Sequence, residues 1–132
     1  IKGYLDEVKR KARDVGYVET VLGRRRYIPE INASNFIVRQ AAERMAVNMP
    51  IQGTAADVMK LAMIRVHSRM QTEALKAKML LQVHDELVFE VPKDELDLLK
   101  NVVHEEMPVA LDLAVPLKVD LSLPCCTILW WV

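Results

Sequence analysis

Cysteine is almost missing from this chain: there are two in 132 residues, adjacent at Cys125 and Cys126. Neighbouring cysteines rarely bridge each other, and no CxxC or His/Cys spacing accompanies them, so a disulfide framework and a zinc site are both excluded. Nothing in this usage requires an oxidising compartment. Long apolar runs are missing too. No stretch approaches the roughly 18 apolar residues that a membrane span needs. The opening IKGYLDEVKRKARD is an amphipathic charged pattern, not a secretory leader. Net charge is absent, with 18 Lys/Arg against 18 Asp/Glu, and no internal repeat or low-complexity tract is present. What remains is 52% apolar and 27% charged residues. That balance implies one folded globular domain with a core.

The charge is unevenly placed. Ile1 to Arg44 holds ten Lys/Arg against six Asp/Glu, and Met45 to Val132 holds eight against twelve. A basic part beside an acidic part suits a protein that grips phosphates in one place and holds cations in another. Ordinary scatter of surface charge gives the same counts. The first residue is not Met and the pattern enters a helix already under way, so the chain reads as a piece excised from a larger protein.

Tyr4, Leu5, Val8 and Ala12 recur at helical spacing, and Gly16 ends that helix. Tyr17 to Val21 and Arg24 to Ile28 then read as a small basic hairpin turning at Leu22-Gly23, with Pro29 as its stop. Ser34 or Asn35 caps the next helix. Its apolar stripe is Val38, Ala41, Ala42, Met45 and Met49. Pro50 predicts a kink or brief break, with Thr54 and Asp57 capping a restart. Val58, Met59, Ala62, Met63, Val66 and Met70 continue the apolar face to about Glu73. The run KMLLQVHDELVFEV, Lys78 to Val91, reads as two strands around a polar centre, His84-Asp85-Glu86. Pro92 opens a helix buried through Leu96, Leu99, Val103 and Met107 and ended by Pro108. Pro116 to Leu121 alternates as a further strand. The fold class expected is α+β, helices on one face of an antiparallel sheet. The uncharged tail LPCCTILWWV, 123–132, is either an association surface or a last edge strand tucked onto the core.

Three groups can carry chemistry. Asp85, at a hairpin apex between strands that fix its backbone, can aim a hard oxygen at Mg²⁺. Glu86 is second, because successive strand residues point to opposite faces. An Asp in a turn also serves simply by bonding its own backbone. His84 beside it suits contact with a phosphate or sugar, or is an ordinary surface residue. Gln40, Arg44, Asn48 and Gln52 are spaced four apart and form one polar file off the apolar stripe. Such a file fits a minor groove, whose acceptors are common to every base pair; a solvated helix face is the alternative. Arg24, Arg25 and Arg26 offer rigid forks for phosphate, or else guard a strand edge with charge. Lys9, Arg10, Lys11 and Arg13 read as cover for a helix surface.

At this point the residues are recognisable. RRRYIPEINASNFIVRQAAERMAVNMPIQGTAADVMKLAM followed by LLQVHDELVFEVP closely resembles the carboxy-terminal part of the A family of DNA polymerases, the bacterial DNA polymerase I family, over roughly Ile1 to Ser122. The resemblance implies an end of the fingers region at 1–31 and a palm-like segment with an incomplete antiparallel sheet at 32–122, leaving 123–132 as an atypical apolar tail. It places Asp85 on a carboxylate that holds two catalytic Mg²⁺ ions, with Glu86 its neighbour in the motif. It places Gln82 and His84 near the primer terminus, and Arg44, Asn48 and Gln52 on the primer-template minor groove. The implied chemistry is template-directed nucleotidyl transfer from a dNTP to a primer 3′-hydroxyl, in a bacterial cytoplasm and associated with the nucleoid. The partners implied are primer-template DNA, a dNTP and the missing polymerase segments, with no membrane.

Three departures set the chain apart. The family's other essential Asp, in a DYSQIELR-like segment, is absent from these residues. So are the basic nucleotide-gripping helix and the thumb and exonuclease domains. The tail replaces a polar, Trp-containing ending. The chain alone is therefore expected to be inactive. Two other readings stay open. One is a non-catalytic nucleic-acid-binding scaffold. The other is a metal-dependent nuclease, which needs at least two of Asp57, Asp85, Glu86 and Asp120 to converge. Self-association through an exposed sheet edge or the apolar tail is a further expectation.

Overall fold

The computed structural model describes residues 2–122 and 127–131, with residues 2 and 127–131 in backbone only. The chain divides into two compact units, Ile1–Asp57 and Val58–Val132. The division falls inside one helix.

The first unit opens with α1 (Lys2–Val15), which stops at Gly16, where φ is +77°. A left-handed residue costs glycine little, so the chain can turn at once into a strand. β1 (Tyr17–Glu19) pairs antiparallel with β2 (Arg25–Tyr27), matching Tyr17 to Tyr27, Val18 to Arg26 and Glu19 to Arg25. The strands are shorter than the sequence suggests. Thr20 and Val21 leave the ladder and join the turn, which Gly23 closes at φ +81° with its N–H donating to Thr20 O. A 3₁₀ turn over Pro29–Asn32 leads to α2 (Phe36–Thr72), whose first N–H groups at Ile37 and Val38 donate to Asn35 Oδ1. Asn35 is thus the cap.

Two expectations about α2 are corrected. The helix runs unbroken through Pro50. Thr54 does not cap a restart: its hydroxyl donates to Pro50 O at 2.6 Å, one turn back within the same helix. The buried stripe of the first half is also rotated. Ala42, Ala46 and Met49 are buried with Ala12, Val18, Ile28 and Ile31, whereas Val38 and Met45 are exposed. The face is chosen by the neighbours: Ala12, Val18, Ile28 and Ile31 of α1, the hairpin and the 3₁₀ turn meet Ala42, Ala46 and Met49, and leave Val38, Ala41 and Met45 outside.

The second unit is an α+β layer, as expected. β3 (Lys78–Val83), β4 (Glu86–Glu90), β5 (Lys118–Ser122) and β6 (Thr127–Trp131) form an antiparallel sheet in the order β3-β4-β6-β5. Leu87, Phe89 and Val119 bury one face against Val58, Met59, Ala62, Val66 and Met70 of α2 and against α3 (Leu96–Glu106) through Leu99, Val102 and Val103. α3 starts later than the sequence suggests, because Lys93–Glu95 form a separate 3₁₀ turn after Pro92. α2 ends in a Schellman arrangement: Ala74 N–H donates to Gln71 O and Leu75 N–H to Met70 O, with Ala74 at φ +52°. The Glu95 carboxylate accepts the next two N–H groups, of Lys76 and Ala77.

The tail holds a further correction. Residues 127–131 do form a strand, but it lies between β4 and β5 and is not an edge. The edges are β3 and β5. Residues 123–126 and 132, the two cysteines among them, lie outside the described residues.

Candidate nucleic-acid interface and carboxylate hairpin

In the first unit, the β1–β2 ribbon has two faces. Directly paired residues share a face. Tyr17, Tyr27, Glu19 and Arg25 form one of them: the two rings lie 5.6 Å apart, the Arg25 guanidinium sits 4.6 Å from the Tyr17 ring centroid, and Arg25 Nε is 3.6 Å from Glu19. Glu19 also accepts from Lys11 Nζ at 2.8 Å. That bond holds the Glu19 carboxyl below its ordinary value and raises the Lys11 ammonium. Val18 and Arg26 occupy the other face. Val18 is buried, and Arg26 makes no side-chain hydrogen bond or ion pair among the described residues.

The turn between these strands is fastened to α2. Arg24 Nε donates to Asp57 Oδ1 at 2.8 Å, and Arg24 Nη2 donates to Gly53 O at 3.0 Å. Val21 N–H donates to Thr54 Oγ1 at 3.1 Å. Thr20 Oγ1 accepts Arg24 N–H at 3.2 Å. The approach is close enough that a Cβ on Gly53 would lie 2.7 Å from Thr20 Cγ2. The same unit is tied elsewhere by Glu43, which pairs with Arg13 and, at 3.5 Å, with Lys9. The Arg13 hydrogen bond holds the Glu43 carboxyl below its ordinary value.

This fastening opens a cleft of about 550 Å³ lined by Arg24, Arg25, Arg26, Asn48, Gln52 and their neighbours on α2. Two members of the amide file and all three arginines therefore meet. Arg44 and Gln40 continue the file one and two turns toward the helix start and stay outside the cleft lining; all four side chains are exposed. Fixed guanidinium forks beside amides that donate and accept can hold a phosphate backbone and touch base edges without choosing a sequence.

In the second unit, His84 and Asp85 make the two-residue turn between β3 and β4, with Glu86 the first residue of β4, paired with Val83. His84 stands at φ +54°, a conformation that costs an L-residue energy. Gln82 Nε2 donates to His84 O at 2.7 Å and pins the turn. Gln82, His84 and Asp85 are exposed, and the Asp85 side chain has no hydrogen bond or ion pair among the described residues. Glu86 is half-buried. Its pairing partner on β6, Leu129, is also the partner of Asp120 on β5. Glu86 and Asp120 therefore share the sheet face away from Leu87, with backbones two strand spacings, about 9.5 Å, apart. Asp120 is bonded to Lys118 Nζ at 3.0 Å. Asp57, the remaining acid weighed for a nuclease, belongs to the first unit and holds Arg24. Among the described residues, no three His, Cys, Asp or Glu side chains cluster to hold a metal ion. Asp85 fits Mg²⁺ in kind, as a hard carboxylate oxygen on a fixed turn. It supplies a single ligand.

Sequence reasoning missed the roles of Thr20, Gly53 and Asp57 in fastening the hairpin. Gly53 was the available signal, since a glycine inside a strong helical run weakens the helix and points to a close approach.

A family model described as DNA polymerase family A matches residues 1–124. DNA polymerase I of Lactococcus lactis subsp. lactis is 54% identical over 120 residues, which is 91% of this chain and 14% of that protein. DNA polymerase I of Bacillus subtilis is 51% identical over 122 residues, 92% of this chain and 14% of that one. The thermostable DNA polymerase I of Thermus thermophilus is 54% identical over 123 residues, 93% and 14%. Among solved structures, the POL domain of Pol1 from M. smegmatis, in complex with DNA primer-template and dNTP, superimposes with a TM-score of 0.86 at 52% identity, covering 89% of this chain and 21% of that one. The open sheet with packed helices is thus palm-like. The chain spans about one seventh of these curated relatives, and no helix among the described residues is long and apolar enough to cross a membrane. Over nearly all of its length, the chain belongs to DNA polymerase family A.

Proposed function

We propose that this chain is the fingers-end and palm-like portion, divided near residues 31 and 122, of a bacterial, cytoplasmic, template-directed DNA polymerase. It would hold primer-template DNA and present one catalytic carboxylate, and it would be inactive by itself. The observation that carries this reading is the cleft in which Arg24, Arg25 and Arg26 meet Asn48 and Gln52. Arginines would take phosphates, and Asn48, Gln52 and, further along the file, Arg44 would lie along the minor groove. Base choice comes from pairing, so the protein's contacts need only hold the duplex.

In the parent reaction, the primer 3′-oxygen forms a bond to the α-phosphorus of a dNTP, the α–β phosphoanhydride bond breaks, and pyrophosphate leaves. Bound Mg²⁺ would supply acidity to the hydroxyl and charge stabilisation at phosphorus. Asp85 would be its ligand here and Glu86 a secondary one. Gln82 would hold the turn, with His84 beside the primer end. Two ions need more ligands than this hairpin offers, and the segment bearing the family's other Asp is not among these residues.

A primer-extension assay with Mg²⁺ on the purified chain tests this directly. No template-dependent extension is expected, together with salt-sensitive duplex binding that Asp85→Ala leaves intact. Extension that Asp85→Ala abolishes would overturn the inactivity. Absence of duplex binding would overturn the reading of the cleft.

A further inference from the structure

We propose that Arg24 is a positioning residue and not a nucleic-acid ligand: locked by Asp57, it sets the hairpin so that Arg26 is the guanidinium the cleft presents to phosphate. This rests on the duplex-binding reading above and divides the work within it. The three arginines are not equivalent. Arg24 spends Nε on Asp57 and Nη2 on the Gly53 carbonyl. With its side-on fork, Nε and Nη2, taken up inside the protein, Arg24 is held in one orientation and only the Nη1 end stays open. Arg25 is laid over Tyr17 and turned toward Glu19. Of the three, Arg26 alone has no side-chain hydrogen bond or ion pair among the described residues, and it lines the cleft with Asn48 and Gln52.

Asp57 is suited to a lock. It is 7% exposed, while the Arg24 side chain is 48% exposed, so the carboxylate is fixed and the arginine is what it holds. The neighbouring bonds converge on the same turn: Val21 N–H to Thr54 Oγ1 and Arg24 N–H to Thr20 Oγ1. Gly53 has no side chain to keep the turn away. A strand carrying a phosphate contact is useful only if its base cannot swing, and this arrangement removes that freedom before any ligand arrives.

Counting released ions separates a lock from a ligand. Each phosphate contact contributes about 0.9 to the slope of log K against log salt. Anisotropy titrations of a short primer-template duplex at several salt concentrations would compare wild type, Arg24→Gln, Asp57→Asn, the double variant and Arg26→Gln. The lock predicts that Arg24→Gln and Asp57→Asn weaken binding by the same factor, about fivefold, with no further loss in the double variant. It also predicts an unchanged slope for all three, and a slope smaller by about 0.9 for Arg26→Gln. A slope lowered by about 0.9 in Arg24→Gln, or losses that add in the double variant, overturns it. So does Asp57→Asn binding as well as wild type. If Asp57→Asn does not fold, the slope of Arg24→Gln decides alone. Failure of the duplex reading looks different: wild type itself then shows no salt-dependent binding, and the proposal falls with it.

Discussion

Replacing Gly53 by alanine tests the closest approach in the first unit. Two effects oppose each other. Alanine is better than glycine inside a helix by about 1 kcal/mol. Against this, the new methyl would sit 2.7 Å from Thr20 Cγ2 and 3.4 Å from both Arg24 Nη2 and Met49 Cε. Ordinary contact begins at 3.4 Å, so Thr20 must retreat by about 0.7 Å. It has no easy way to do so. Thr20 is 4% exposed and branched at Cβ, and its Oγ1 accepts the Arg24 N–H. Overpacking of this kind costs about 1–3 kcal/mol, so Gly53→Ala should destabilise by about 1 kcal/mol net. Thr20→Ser removes the obstructing methyl and keeps the hydroxyl. Alone it should cost about 0.8 kcal/mol for the lost buried carbon. Combined with Gly53→Ala it should return the protein to within about 0.5 kcal/mol of wild type, a strong favourable coupling. Urea unfolding followed by far-UV circular dichroism, with the m-value checked for constancy, measures all four corners of this cycle. A Gly53→Ala protein at least as stable as wild type, or additive effects in the pair, would refute the claim that the turn rests on the helix backbone.

Two further outcomes follow from other positions. Ala74→Gly should stabilise by about 0.5–1 kcal/mol in the same urea experiment, because Ala74 closes α2 at φ +52°, where a Cβ is penalised by more than glycine's extra chain entropy. Glu43, held below the ordinary 4.5 by Arg13 and then Lys9, stabilises the fold above its unfolded pKa, and that contribution is lost as pH falls through its lower folded value. Urea midpoints between about pH 5 and pH 3 should therefore fall more steeply for wild type than for Glu43→Gln; parallel declines would contradict the pairing.

Much of this protein is legible in its residues because local rules decide it. The end of α1 and the start of α2 follow from Gly16 and Asn35, and the two apolar runs within Lys78 to Val91 place the polar turn at His84 and Asp85. What was not legible depends on partners distant in sequence. Thr54 and Asp57 resemble a capping pair when only their neighbours are considered. Their roles are set by Val21 and Arg24, 33 residues away. The same absence of distant partners misplaced the α2 stripe, since the choice between Met45 and Ala46 is made by how closely α1 and the hairpin come in. Pro50 misleads for a related reason: it forbids one hydrogen bond, while the surrounding turns continue the helix on either side. The tail has no alternation to mark an inside, so nothing in it distinguished an edge from the interior position that β6 takes.

The two hairpins solve one problem by the same means. Each exposes a polar group at or beside its bend, and each uses a neighbouring side chain as a brace. In the first unit, Arg24 braces the turn and Arg26 has no partner among the described residues; in the second, Gln82 braces His84 O and Asp85 has none among them either. A brace and the group it frees should respond differently to substitution. Removing Arg24 or Gln82 takes away bonds inside the protein, so stability falls and ligand affinity follows. Removing Arg26 or Asp85 takes away no bond found among the described residues, so stability should stay, and under the proposed function the change should show in duplex binding or metal affinity instead. Exposed polar groups stay solvated in the free protein, so leaving them unpaired costs little. Their freedom is therefore compatible with a stable fold, and it is the feature by which a ligand-facing residue can be told from a supporting one beside it.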